Sequence, residues 1–292
     1  MHDIINKVRV AIIGLGLIGG SIGLALRQSP KSEWNLTAYV RRPEVASKAL
    51  SYGIADRVET DLGATVREAE LVIIATPVLT IKDVMRQIAG YLPSGCVVTD
   101  TASTKVQVMK WAGEILPSTV DFVGGHPMAG RETYGIEAAR ADLFRGCTYC
   151  LTPADNASKS AVEKVVGLVE KLGARPYFID AWQHDELVAA VSHLPLVLSA
   201  ALVSVTTNDP AWGRMSQLAA SGYRDLTRLA SGNPEVNAHI CLSNRDAILR
   251  WIDKFIKELK RYRDIIDSSS DSVLQQALTE ANKARETWLN RT

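Results

Sequence analysis

The opening run Val8-Arg9-Val10-Ala11-Ile12-Ile13, followed by Gly14-Leu15-Gly16-Leu17-Ile18-Gly19-Gly20-Ser21, constrains this chain more than any other segment. An apolar β-branched stretch leads straight into GxGxxG, and an apolar helical pattern follows. That order is the dinucleotide-binding βαβ signature. Gly14 permits a tight turn, Gly16 lets a pyrophosphate approach the backbone, and Gly19 lets helix and strand pack closely. The helix start offers free N–H groups and the positive end of its dipole to the phosphates. Gly14, Leu15, Gly16, Leu17, Ile18 and Gly19 therefore form the predicted cofactor-binding loop.

The second predicted strand, Leu36–Val40, departs from the usual pattern for NAD. An Asp or Glu near its end normally binds the ribose 2′-hydroxyl. Here Tyr39-Val40-Arg41-Arg42-Pro43 contains no acid before Glu44. Two guanidinium groups suit bidentate contact with a 2′-phosphate. NADP is thus the favoured cofactor, with NAD the alternative if Arg41 and Arg42 point to solvent.

Further strands are expected at Leu71–Ala75, Cys96–Thr99, Asp121–Val123, Thr148–Leu151 and Pro176–Ile179, with helical patterns such as Ile81–Ala89 and Ala161–Leu172 between them. This alternation predicts an α/β fold with a doubly wound, mainly parallel Rossmann-type sheet. After Asp180 the strand pattern stops, and Ile248, Ile252, Phe255, Leu259, Tyr262 and Ile266 recur at helical steps. The expected organisation is a dinucleotide-binding domain over 1–180 and an all-helical domain over 181–292. Leu187–Val205 is apolar nearly all round and must be buried on every side, which a second subunit of a homodimer would achieve. With Pro195 and polar flanks, its most apolar part, Leu194–Val205, reads as a core helix shorter than a membrane span. Lys plus Arg total 33 against 32 Asp plus Glu, so no basic field invites nucleic acid or anionic lipid. The opening residues carry no secretory-leader pattern, and a cytoplasmic protein is expected.

A candidate catalytic centre lies in Gly124-Gly125-His126-Pro127-Met128-Ala129-Gly130. A strand ending at Gly-Gly and turning at Pro127 would hold His126 at the lip of the sheet, where ligands bind in open α/β folds. Histidine exchanges a proton near neutral pH. Thr76 and Pro77 end the third strand beside the cofactor. Asp100-Thr101-Ala102-Ser103-Thr104-Lys105 brings a hydroxyl and a cation to the same lip. In Gly222-Tyr223-Arg224-Asp225-Leu226-Thr227-Arg228, two arginines four apart share a helical face and predict a substrate with carboxylates. Cys147 and Cys150 form a CxxC pair, but no further ligands complete a metal site, and CTYCLT reads as a buried strand.

Together, GLGLIGGS, ATPV, TDTASTK, GGHPMAG, SHLP and GYRDLTR resemble the prephenate/arogenate dehydrogenase family of tyrosine biosynthesis, in order from Val8 to Arg228. The resemblance implies NAD(P)-dependent oxidative decarboxylation of a cyclohexadienyl substrate, prephenate or arogenate, by a homodimer. It implies that His126 is the catalytic histidine bonding the ring hydroxyl and that Ser103 helps orient it beside the cofactor and substrate. By the same resemblance, Arg228 binds a substrate carboxylate, Arg224 is a second cationic contact, His193 lines the pocket and Glu132 stands at its mouth. Arg131 replaces the small Ser or Thr common in the family. The pattern leaves no length for an appended mutase or regulatory domain. The competing readings are a β-hydroxyacid or imine-type reductase, which usually carries its acid/base lysine on the helical domain, and a non-catalytic dinucleotide-binding module.

Overall fold

Alternation of apolar side chains along each central strand supplies both faces of a buried sheet. The structure, a computed structural model, describes residues 7–28 and 33–290; residues 1–6, read above for a leader pattern, lie outside them. The chain forms two compact units, one through Arg245 and one from Asp246 onward.

The first unit is built on eight strands. They are β1 (Val8–Ile13), β2 (Trp34–Tyr39), β3 (Arg57–Glu59), β4 (Leu71–Ile74), β5 (Val97–Asp100), β6 (Asp121–Pro127), β7 (Thr148–Pro153) and β8 (Arg175–Phe178), arranged in the order β3-β2-β1-β4-β5-β6-β7-β8. Strands β1 to β6 are parallel neighbours, and β7 pairs antiparallel with β6 and parallel with β8. The order reverses between β1 and β4, the switch point at which open α/β sheets bind ligands.

Helices cover both faces. Val10, Ile12, Leu36, Ala38, Leu71 and Ile73 pack under α1 (Leu17–Arg27) and α6 (Lys159–Lys171). The alternate residues Ala11, Ile13, Val72, Ile74 and Val98 pack under α3 (Leu62–Val66), α4 (Val78–Ile88) and α5 (Val106–Ile115). The helix α2 (Pro43–Ser51) follows β2 with Pro43 at its first turn and ends at Gly53, whose φ is +66°. Of these elements β3 and α3 are not evident in the sequence pattern, because they are only three and five residues long.

From Ala181 the unit is helical: α7 (Ala181–Val188), a π turn (Ala189–His193), α8 (Leu194–Thr207), α9 (Trp212–Leu218), α10 (Ser221–Thr227) and α11 (Pro234–Ser243). The Asp180 carboxylate caps α7 by accepting from the N–H groups of Trp182 and Gln183. Ala181–Thr207 is one continuous helical run of 27 residues, long and apolar enough by composition to cross a membrane. This corrects the shorter run expected from sequence: Pro195 does not end the helix, because it lies just after the π turn Ala189–His193, where the regular hydrogen-bond ladder is already interrupted. Four polar side chains of the run, His184, Asp185, His193 and Ser199, are buried inside the protein. Asp185 accepts from two backbone N–H groups of the α5 start, and the Ser199 hydroxyl accepts from Ala230 N–H. Its outer side is not buried within the chain, since Val191 is 71% and Val205 70% exposed.

The second unit follows the helical spacing of its apolar residues. It consists of most of α12 (Arg245–Asp267) and α13 (Asp271–Leu289), joined through Ser269 at φ +53°. Leu259 and Ile266 remain exposed on it, since two helices cannot cover both of their apolar stripes.

Candidate active site

The glycine loop has the backbone its sequence requires. Gly14 adopts φ +102°, and a Cβ there would lie 2.7 Å from the Ala75 carbonyl oxygen. A Cβ on Gly19 would overlap the Gly14 carbonyl, whereas one on Gly16 would meet nothing within 4 Å. So Gly14 and Gly19 close the turn, while the space above Gly16 stays open at the start of α1, whose first turn carries no acid. An open, acid-free helix start on a tight glycine turn fits a dinucleotide pyrophosphate. Leu15 and Leu17 are buried and Ile18 partly so, leaving main chain as the binding surface. Across the switch point, the Thr76 and Thr80 hydroxyls bond each other at 2.9 Å, holding the Ala75-Thr76-Pro77 turn at the start of α4. At the end of β2, Val40 is buried, with Arg41 and Arg42 exposed beside it.

His126 does not sit in a loop. The strand β6 runs through Gly124 and Gly125 to Pro127, with His126 opposite Cys150 of β7. The two glycines permit close approach rather than ending the strand. A Cβ on Gly125 would lie 2.5 Å from the Asp100 carbonyl oxygen, and one on Gly124 2.8 Å from Met109 Sδ and 3.3 Å from Lys105 Cδ.

Lys105 likewise departs from the cation expected at the lip of the sheet. It is wholly buried under β6, where its ammonium donates to the Asp100 carboxylate and to the Gly125 carbonyl. The same carboxylate accepts from Ala102 N–H at 2.8 Å and Gly125 N–H at 3.0 Å. A buried charge persists only when paired and fully hydrogen-bonded, and these contacts lock the end of β5 to β6.

The partner of His126 comes from α7, which the motifs do not mark. His126 Nδ1 lies 2.9 Å from His184 Nε2, with the rings edge to face. His184 Nδ1 lies 2.7 Å from Asp185 Oδ1. Asp185 in turn accepts from the N–H groups of Lys105 and Val106. His193, in the π turn, is buried with its Nδ1 3.2 Å from Asn244 Nδ2, which also donates to the Asp185 carbonyl at 2.7 Å. Burial holds His126 well below the usual histidine range, reinforced by His184, Lys105 and His193. His193 is pushed down to about 4, chiefly by burial, while Asp185 and the Ser103 backbone partly oppose the shift. Sequence reading missed His184, Asp185 and Asn244 because nothing local distinguishes them; tertiary packing alone joins them to His126 and His193.

The other predicted residues are less enclosed. Ser103 is half-buried in the loop after β5, and its neighbour Thr104 bonds Ser243 of α11 at 3.0 Å. Arg228 opens a 3₁₀ turn that continues α10, and its guanidinium pairs with Glu132. Arg224 and Arg131 are exposed. Among the described residues no group of three or more His, Cys, Asp or Glu could hold a metal ion. Cys147 and Cys150 are free thiols at the start of β7, where burial raises the pKa of both.

Comparison with known proteins extends beyond this site to most of the chain. Residues 22–178 match the family description "Prephenate dehydrogenase, nucleotide-binding domain", and residues 180–280 match "Prephenate dehydrogenase, dimerization domain". The prephenate dehydrogenase of Bacillus subtilis is 35% identical, with 89% of this chain and 71% of that protein aligned. The cyclohexadienyl dehydrogenase of Zymomonas mobilis is 33% identical over 94% of each. The solved prephenate dehydrogenase of Aquifex aeolicus, in complex with hydroxyphenyl propionate and NAD+, is 28% identical at a TM-score of 0.89, covering 96% of this chain and 98% of that one. A glycine cradle at the switch point, a buried histidine on β6 of the same sheet and two family matches covering most of the chain agree: this chain belongs to the prephenate dehydrogenase family.

Proposed function

We infer that this chain catalyses NAD(P)-dependent oxidative decarboxylation of prephenate, arogenate or both, in tyrosine biosynthesis. The observation that carries the reading is His126, buried on the sheet that carries the dinucleotide cradle, with Nδ1 engaged by His184. Its Nε2 is left to accept a proton from the substrate's ring hydroxyl. Loss of that proton drives the C4 hydrogen off with its electron pair, the ring carboxylate leaves as carbon dioxide, and aromatisation makes the sequence downhill. The nicotinamide, when bound, supplies the hydride acceptor, and the main chain of Gly14–Gly19 would hold its pyrophosphate. We assign Ser103 to the contact between cofactor, substrate and His126, and His193 to the pocket wall. Steady-state rates with prephenate and arogenate, each with NAD and NADP, test the reading. Turnover of neither substrate overturns it.

Cofactor choice follows from the end of β2. A carboxylate in place of Val40 would repel a 2′-phosphate, and its absence beside exposed Arg41 and Arg42 supports NADP. The expected kcat/KM is higher with NADP, and Val40→Asp reverses or erases the preference. A wild-type preference for NAD of about tenfold, worth about 1.4 kcal/mol, would refute this reading.

We assign Arg228 to a substrate carboxylate, with Arg224 as a second cation and Glu132 and Arg131 at the mouth. Glu132 already pairs with Arg228, so the guanidinium is oriented but must exchange partners when substrate arrives. Arg228→Ala should raise KM, though by less than truncating one partner of a buried charge pair, since its side chain is 60% exposed, with circular dichroism unchanged. An unchanged KM for both substrates would place carboxylate recognition elsewhere.

We also propose a homodimer in the cytoplasm. The outward side of Ala181–Thr207, with Leu187, Val191 and Val205 exposed, is apolar surface of the kind a second subunit covers. The matched dimerization description supports this. Light scattering at micromolar protein should report twice the 31.8 kDa chain mass; a monomer mass would reject it.

A further inference from the structure

We propose that Asp185 fixes opposite tautomers on the two site histidines, acting through His184 on His126 and through Asn244 on His193, so that one presents a bare nitrogen and the other an N–H. The catalytic meaning of this arrangement rests on the function inferred above; the tautomers themselves do not.

The first chain starts at the Asp185 side chain. Its Oδ1 accepts from Lys105 N–H at 2.7 Å and its Oδ2 from Val106 N–H at 3.0 Å. Backbone N–H groups can only donate, so both carboxylate oxygens are acceptors. His184 Nδ1, 2.7 Å from Oδ1, must therefore carry the proton. In the neutral ring this leaves a lone pair on His184 Nε2, which faces His126 Nδ1 at 2.9 Å. Two lone pairs cannot share that contact, so His126 donates from Nδ1 and its Nε2 is bare. The ring is thus in the form able to take a hydroxyl proton: the O–H bond breaks and an N–H bond forms at Nε2. The resulting imidazolium keeps its Nδ1–H on His184, whose own proton rests on Asp185.

The second chain starts at the Asp185 main chain. Asn244 Nδ2 lies 2.7 Å from that carbonyl oxygen, which settles the end of the amide bearing nitrogen. The second N–H of the same group faces His193 Nδ1 at 3.2 Å. That nitrogen must accept, so His193 carries its proton on Nε2. This atom is buried and meets no partner in strict hydrogen-bond geometry, although the Ser103 backbone stands near enough to the ring to favour a proton on it. A buried donor left unpaired is uncommon in folded proteins, and here it suits an oxygen of the bound substrate. His184 and Asn244 are therefore positioning residues, making His126 an acceptor and His193 a donor.

The test is proton–nitrogen correlation spectroscopy of the 292-residue chain labelled with nitrogen-15 histidine, above neutral pH. The chain has five histidines, assigned in a second wild-type sample labelled uniformly with carbon-13 and nitrogen-15, by through-bond correlation from the backbone. The expected result is bare Nε2 on His126 and His184 and bare Nδ1 on His193. Bare Nδ1 on His126, or Nδ1–H on His193, overturns the proposal. The wild-type spectrum decides this whether or not any variant folds, and whether or not prephenate and arogenate are turned over. Kinetics supply a second readout. A Gln side chain both accepts and donates, so His184→Gln should retain kcat within about tenfold, while His184→Leu loses about 10²-fold. Equal losses in the two variants would mean that His184 serves only to fill space. Asn244→Asp turns the donor into an acceptor and should raise substrate KM about tenfold with little change in kcat; an unchanged KM would count against the second chain.

Discussion

Replacing His126 by Asn lowers kcat by about 10²–10⁴-fold, the usual contribution of a positioned general base, and leaves dinucleotide affinity unchanged. The amide keeps a polar group near His184 but cannot accept the hydroxyl proton. The cofactor loop is built from the turn after β1 and packs independently of His126, so binding of NADP or NAD, followed by fluorescence, should be indifferent to the change. A variant retaining more than about a tenth of wild-type kcat would remove His126 from the proton-accepting role. The pH profile carries the same signature. Burial, and then His184, Lys105 and His193, hold His126 well below its ordinary 6.5. A base with a lowered pKa stays unprotonated to lower pH, so kcat/KM should hold its plateau below pH 6.5 before falling. An ascending limb centred at or above 6.5 would contradict the buried geometry. Stability has the matching sign: as pH drops below 6.5 the unfolded chain takes up this proton first, so the native state weakens there.

Lys105→Met is expected to be the most damaging substitution to stability in the first unit. Both Lys105 and Asp100 are fully buried, and removing one partner of such a pair typically costs about 3–5 kcal/mol, because the other charge stays buried and uncompensated. Urea unfolding should show this loss. The double variant Asp100→Asn with Lys105→Met removes the stranded charge while keeping an oxygen to accept one of the two backbone N–H groups now on Asp100. It should therefore be more stable than Lys105→Met alone, and the two changes should couple strongly. Strict additivity would show that the pair is not the lock between β5 and β6. The pair also lies next to the catalytic segment, since the Lys105 ammonium bonds the carbonyl of Gly125, the residue before His126.

These two predictions concern residues that the sequence marks unequally. His126 stands out locally: a histidine between Gly-Gly and Pro after an apolar run is rare enough to draw notice, and the family motif adds to it. Lys105 is legible as a residue in TDTASTK but not as a buried one, because a lysine reads as solvated until its partner is known. The strand end was misplaced for a similar reason. Paired glycines ordinarily interrupt strands, and only the packing of Asp100, Met109 and Lys105 against Gly124 and Gly125 explains why β6 continues through them.

By itself, the sequence determined the alternating sheet, the glycine cradle, the family and the helical second half, because each depends on short-range periodicity or on a contiguous motif. Helix and strand periods are properties of neighbouring residues, and the loop of Gly14 to Gly19 is closed by its own backbone. Tertiary structure alone decided that His184 supports His126, that Asn244 meets His193, and that Asp185 joins the two. His126 and His184 lie 58 residues apart, and Asn244 lies 59 from Asp185. A hydrogen bond needs two groups within about 3 Å, and that proximity arises only when α7 packs against α5 and α11 against α4.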